Sequence, residues 1–134
     1  MTESRPRRKV LRSIAAVLAG FAGIVAISTL TDQVLHSSGV YPPLDQRMSD
    51  PLFALALAYR IVYGVAGCWL TARLAPYRPM LHALVLGSIG MLLSTLGALA
   101  MGKMGPAWYS IALIATAIPS AWVGAKLVRT PVRA

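Results

Sequence analysis

Residues 50–64 read Asp50-Pro51-Leu52-Phe53-Ala54-Leu55-Ala56-Leu57-Ala58-Tyr59-Arg60-Ile61-Val62-Tyr63-Gly64, and an apolar run continues from there to Arg73. From Leu52 to Ala72 the only formal charge is Arg60. A run of about 20 apolar residues, at roughly 1.5 Å each, matches the roughly 30 Å hydrocarbon core of a bilayer. Asp50 can cap the free N–H groups of a first turn, and Pro51 suits the first helical position. The stretch therefore predicts a membrane-crossing helix with an arginine inside it. Arg60 lies roughly 15 Å along the axis from that start. A guanidinium so deep costs about 3 kcal/mol on insertion scales and more on others. It must face protein or water rather than lipid. Arg60, Gly64, Gly67 and Thr71 fall on one face at helical spacing. That face is small and polar, as close helix contact in lipid requires.

Composition places the rest of the chain in the same class. Of 134 residues, 57% are hydrophobic and only 13% charged, against roughly half and a quarter in soluble domains. The mean hydropathy is +0.65. The apolar surplus falls into four blocks of spanning length, so the fold class expected is an all-α, integral-membrane four-helix bundle. The net charge of +9 does not point to nucleic acid, because the basic residues sit at block ends with no interleaved aromatic patch. The single cysteine, Cys68, excludes an internal disulfide and a CxxC pair. No repeat, metal-ligand cluster, phosphate loop or dinucleotide fingerprint is present in the sequence. No cofactor is expected.

The expected order is a basic cytoplasmic tail over 1–12, a transmembrane domain over 13–128, and a cytoplasmic tail over 129–134. The spans lie at about 13–35, 51–73, 80–101 and 106–126 by apolar length. The first tail reads as a flexible topology signal attracted to anionic headgroups. A basic stretch before an apolar core also resembles a signal peptide, and Ala26-Ile27-Ser28 passes as a cleavage site. Three further spans and the stripe Ala16, Gly20, Gly23, Ile27 favour a retained packing helix. Gly39 and Pro42-Pro43 end it and open the longest loop, residues 37–50. The short link over 74–79 makes spans two and three antiparallel neighbours. Small residues recur at 90, 94 and 98 in span three and at 112, 116, 120 and 124 in span four, giving further packing ladders. Pro119 is expected to kink span four.

Orientation follows from charge. Arg5, Arg7, Arg8, Lys9, Arg12, Arg73, Arg78, Lys126, Arg129 and Arg133 fall on one side, ten of thirteen basic residues. The other loops hold Arg47 and Lys103, with Asp32, Asp45 and Asp50 nearby. Cytoplasmic loops carry the excess of Lys and Arg, so both termini are expected inside. Aromatic residues form two belts: Tyr41, Phe53, Trp108 and Tyr109 outside, Trp69, Tyr77 and Trp122 inside.

The candidate polar site is Asp32, His36, Tyr59, Arg60 and Tyr63, all towards the outer half. Asp32 and Arg60 have opposite signs on neighbouring helices, and each is costly alone. For them to meet, the arginine must snorkel outward along its helix. Backbone carbonyls, Asp50 and a lipid phosphate are competing partners. The pair reads either as a structural tie or as a ligand site. His36 reads as a solvated helix end, or else as a proton-transfer group or a metal ligand. His82 lies on the opposite side and cannot share the site.

Several stretches carry a resemblance: Thr31-Asp32-Gln33-Val34-Leu35-His36, Val40-Tyr41-Pro42-Pro43, Met48-Ser49-Asp50, Ala58-Tyr59-Arg60-Ile61-Val62-Tyr63-Gly64 and Leu70-Thr71-Ala72-Arg73-Leu74-Ala75-Pro76. Through them the chain resembles a group of short bacterial membrane proteins labelled hypothetical proteins, from the first span on. The resemblance implies a four-span protein of the inner (cytoplasmic) membrane and transfers no catalytic residue. The chain is unlike small multidrug exporters, which place a glutamate in the first span, and unlike quinone-linked thiol oxidases, which need paired cysteines. The expected function is a non-enzymatic accessory, scaffold or envelope component. The alternatives are a small oligomeric transporter or channel using Arg60 for an anionic substrate, and an enzyme acting on a lipid-linked substrate through Asp32 and His36. The expected partners are the lipid bilayer and a second copy or another membrane protein, with no nucleic acid.

Overall fold

The computed structural model describes residues 4–43, 48–101 and 105–128. Leu44, Asp45, Arg47, Lys103, Arg129 and Arg133, the Arg5 side chain and the tail over 129–134 lie outside the described residues. Four helices make up the secondary structure there: α1 (Ser4–Ser37), α2 (Asp50–Leu74), α3 (Pro79–Met101) and α4 (Ala107–Leu127). Each is long and apolar enough to cross a membrane.

Two boundaries differ from expectation. Helix α1 begins at Ser4, inside the stretch read as a tail. Lysine and arginine are good helix formers, and adding turns to an existing helix carries no new nucleation cost. At the head of α2 the cap is Ser49, with no side-chain cap bond, and Asp50 is already helical. Its carboxylate still sits in the first turn, where the helix dipole favours negative charge.

Helix α2 packs against all three others, whereas among the described residues the α1 and α4 backbones do not come close to each other. Gly20 and Gly67 bring the α1 and α2 backbones close together. A Cβ on Gly20 would overlap Thr71 Oγ1 and stand 2.6 Å from the Gly67 carbonyl oxygen. Thr71, wholly buried, donates from Oγ1 to the Ala16 carbonyl oxygen at 2.8 Å. Only half of the expected α1 stripe is used. Gly23 has nothing within 4 Å of an added Cβ, and Ile27 is 45% exposed. Between α2 and α4 the close approach is at Gly124, where a Cβ would lie 2.7 Å from the Val65 carbonyl oxygen. On α3 it is Gly87 that meets α4, at Ala117 and Ala121, while Gly90 and Gly97 face open space. The α3 ladder is therefore displaced from the expected set towards the start of the helix. Helix α4 runs unbroken through Pro119.

The core falls into two clusters. One joins Cys68 and Ala72 of α2 with Ala83 and Leu86 of α3 and Ala121 and Ala125 of α4, with Val17, Phe21 and Ile24 of α1 packed against it. The other joins Tyr41, Phe53, Ala56 and Tyr109, with Leu35, Met48 and Tyr59 against it. The candidate polar residues sit beside this second cluster.

Candidate functional site

The polar turn of α1 and the middle of α2 face each other. Arg60 Nη2 donates to Asp32 Oδ2 at 2.7 Å, and the two side chains are 33% and 30% exposed. Tyr59, one residue earlier, donates from its hydroxyl to the other carboxylate oxygen, Asp32 Oδ1. That bond uses the only proton on the Tyr59 hydroxyl. The 2.9 Å contact between the Tyr41 and Tyr59 hydroxyls is therefore donated by Tyr41. The result is a directed chain: Tyr41 to Tyr59 to Asp32, with Arg60 closing on the carboxylate from the other side. The guanidinium carbon also lies 5.6 Å from the Tyr59 ring centroid.

One turn away a second bond ties the same helices. Thr31 Oγ1 donates to the Ile27 carbonyl oxygen at 2.8 Å, so the 2.8 Å contact with Tyr63 is donated by the Tyr63 hydroxyl. The rings of Tyr59 and Tyr63 are 5.6 Å apart. Of the five residues predicted, Asp32, Tyr59 and Arg60 meet directly, and Tyr63 joins through Thr31. His36 bonds elsewhere: its Nδ1 donates to the Pro42 carbonyl oxygen at 3.1 Å, and its ring stands edge-on to Tyr41 at 5.2 Å. It folds the loop back onto α1. Asp32 and His36, named together for a lipid-linked substrate, do not hydrogen-bond to each other: Asp32 accepts from Arg60 and Tyr59, and His36 bonds to the loop.

Tyr41 was missed as a site residue. It lies in a loop, where no periodicity assigns a side chain to a face, and the sequence placed it in the outer aromatic belt and not among the polar residues. It is 4% exposed. Burial chiefly raises its phenol above the ordinary value of 10.0, against the lowering effect of the hydrogen bond with Tyr59. His82, at the other end, is buried and donates from Nδ1 to the Arg78 carbonyl oxygen at 3.0 Å, with Tyr77 edge-on.

The guanidinium has further donors to place. Arginine carries five N–H donors. Among the described residues its one well-aligned hydrogen bond goes to Asp32 Oδ2, the Tyr109 hydroxyl lies alongside the guanidinium, and the buried Nε has no partner. Arg60 also lines a cavity of about 230 Å3 with Ile24, Ser28, Gly64, Leu93, Leu113 and Ser120, drawn from all four helices. It occupies the space left where the described α1 and α4 backbones stay apart. Cys68 is a free, buried thiol on the same wall. No group of three metal-ligating side chains lies together among the described residues.

No protein family, curated protein or solved structure matches this chain.

Proposed function

We propose that the chain is a non-enzymatic, multi-pass protein of a bacterial cytoplasmic membrane, an accessory or scaffold subunit whose first two helices are locked by Asp32 and Arg60. Both termini lie in the cytoplasm and sequence neighbours run antiparallel. The observation that carries the reading is the double tie on the Asp32 carboxylate, one oxygen accepting from Arg60 and the other from Tyr59. A carboxylate held on both oxygens is fixed in position between the two helices. Its charge cancels that of Arg60, which lowers the cost of placing either within the bilayer.

The topology draws support from the order of contacts. Ala16, Gly20 and Asp32 of α1 meet Thr71, Gly67 and Arg60 of α2, so numbers rise along one helix as they fall along the other. Phe53 and Gly64 of α2 meet Tyr109 and Ser120 of α4 in the same order, as helices two apart in an alternating bundle must. The cytoplasmic assignment rests on the charge bias. Consistent with it, Arg73 stacks on Trp69 at 5.5 Å and Lys126 on Trp122 at 5.3 Å. These are the amphipathic anchors expected at a membrane interface.

If the lock is structural, Arg60→Ala lowers assembly in the membrane and Arg60→Lys largely restores it. Blue-native electrophoresis of the solubilised protein reads this out. Folded, fully assembled Arg60→Ala protein contradicts the reading. A second reading, a small transporter or channel, is favoured by the cavity that reaches Arg60. It predicts that Arg60→Ala folds normally and loses solute flux in proteoliposomes.

A further inference from the structure

The cavity between α1 and α4 has no part in locking the helices, and its chemistry is specific. A cavity of about 150 Å3 accommodates benzene, so by the same ratio one of about 230 Å3 accommodates roughly nine heavy atoms. Most of its wall is aliphatic or aromatic: Phe21, Ile24, Leu86, Leu93 and Leu113. Its polar side is rich in donors. Arg60 has donor capacity beyond its single bond to Asp32, and the Ser28 and Ser94 hydroxyls lie on the same wall. At membrane depth each donor left without an acceptor costs several kcal/mol. An acceptor in the cavity relieves that cost.

The charge of that acceptor is constrained by Asp32. The ion pair is already neutral. An anion in the cavity would leave a net negative charge in a low-dielectric site and face the Asp32 carboxylate nearby. A cation would leave a net positive charge there and face the Arg60 guanidinium on the cavity wall. A neutral oxygen avoids both costs. We infer that the cavity binds a neutral, lipid-soluble molecule of about nine heavy atoms carrying a carbonyl oxygen, as in a ketone, quinone ring or ester, with the oxygen on Arg60 and the carbon body against Ile24, Leu93 and Leu113. This goes beyond the scaffold reading, because the lock holds whether or not the cavity is filled.

The test is photolabelling of the full chain in lipid nanodiscs with a diazirine derivative of octan-2-one, competed by octan-2-one, octane or octanoate at matched mole fractions in the bilayer. Labels are located by peptide mass spectrometry. One hydrogen bond to a charged group is worth about tenfold or more in affinity. Octan-2-one should therefore compete about tenfold better than octane, and octanoate no better than octane. Labels should fall at Ile24, Leu93 and Leu113. Gly90 lines the cavity and has nothing within 4 Å of an added Cβ, so Gly90→Leu fills the space without a clash at the attachment point. It should abolish the labelling. Gly97→Leu, equally open but not on the cavity wall, should not.

The inference is overturned if octanoate competes as well as the ketone. It is also overturned if labels are absent or spread without saturation over lipid-facing residues, or if folded Gly90→Leu labels like the parent. Should Gly90→Leu not fold, the competition series on the parent chain still decides. The lock is judged separately, by assembly of the Arg60 variants.

Discussion

Substitution of Gly20 by alanine puts one methyl group into a close approach of α1 and α2. That methyl would overlap Thr71 Oγ1, and it would lie 2.6 Å from the Gly67 carbonyl oxygen and 2.8 Å from Leu86 Cδ2. Ordinary contact begins near 3.4 Å, so the helices must part by most of an ångström against a rigid carbonyl. Thr71 must also turn away, giving up its bond to Ala16. Overpacking of this kind costs about 1–3 kcal/mol, and the buried hydrogen bond about 1 kcal/mol more. The gain in helix propensity from glycine to alanine returns up to about 1 kcal/mol. The net is a loss of about 2 kcal/mol, roughly thirtyfold in the folding equilibrium. Gly23→Ala, about one turn further on, meets nothing within 4 Å and keeps only the propensity gain. Reversible unfolding of both variants in mixed detergent–lipid micelles, followed by far-UV circular dichroism, should separate them by about 3 kcal/mol. Agreement of the two within about 0.5 kcal/mol, the usual scatter of neutral surface changes, refutes the packing argument.

Asp32→Asn keeps the shape of the acceptor and removes its charge, leaving Arg60 unpaired. Breaking a buried pair costs about 3–5 kcal/mol, and the partial exposure of both side chains reduces this to about 2 kcal/mol, measured by the same unfolding assay. Tyr41 provides a pH signature. Its phenol is raised in the folded state, so both states are protonated below the unfolded value of about 10, and stability there is independent of this group. Above that the unfolded phenol ionises first, and stability falls with rising pH through the folded value. Tyr41→Phe should make that alkaline fall shallower in thermal melts between neutral and strongly alkaline pH. An unchanged slope would separate Tyr41 from the folding transition.

The helices were legible because hydrophobic length and turn residues act locally. Asp50-Pro51 and the apolar run after it identify α2 without reference to any neighbour. The meeting of Asp32 with Arg60 was legible for a different reason: each is costly alone in a bilayer, and few partners are available. Other features depend on which helix stands opposite. Gly20 and Gly23 are equally small, yet only Gly20 meets α2; Gly87 meets α4, whereas Gly90 and Gly97 meet nothing. A ladder of small residues shows that close approach is allowed and leaves the partner unspecified. Tyr41 escaped because a loop has no periodicity to assign it a face. The cavity escaped because it arises between two helices, α1 and α4, whose described backbones stay apart. The helical turns before the first span were concealed by charge. Hydropathy reads Arg7, Arg8, Lys9 and Arg12 as an end, although their helix propensity is high.

The coupling between Asp32 and Arg60 is measured most directly by a double-mutant cycle in bicelles: Asp32→Asn, Arg60→Gln and the pair together. A membrane-embedded lock predicts that the double variant is more stable than the sum of the single losses implies, with a coupling energy of at least about 1 kcal/mol. Losses that add to within about 0.3 kcal/mol would mean that the two charges do not hold α1 to α2.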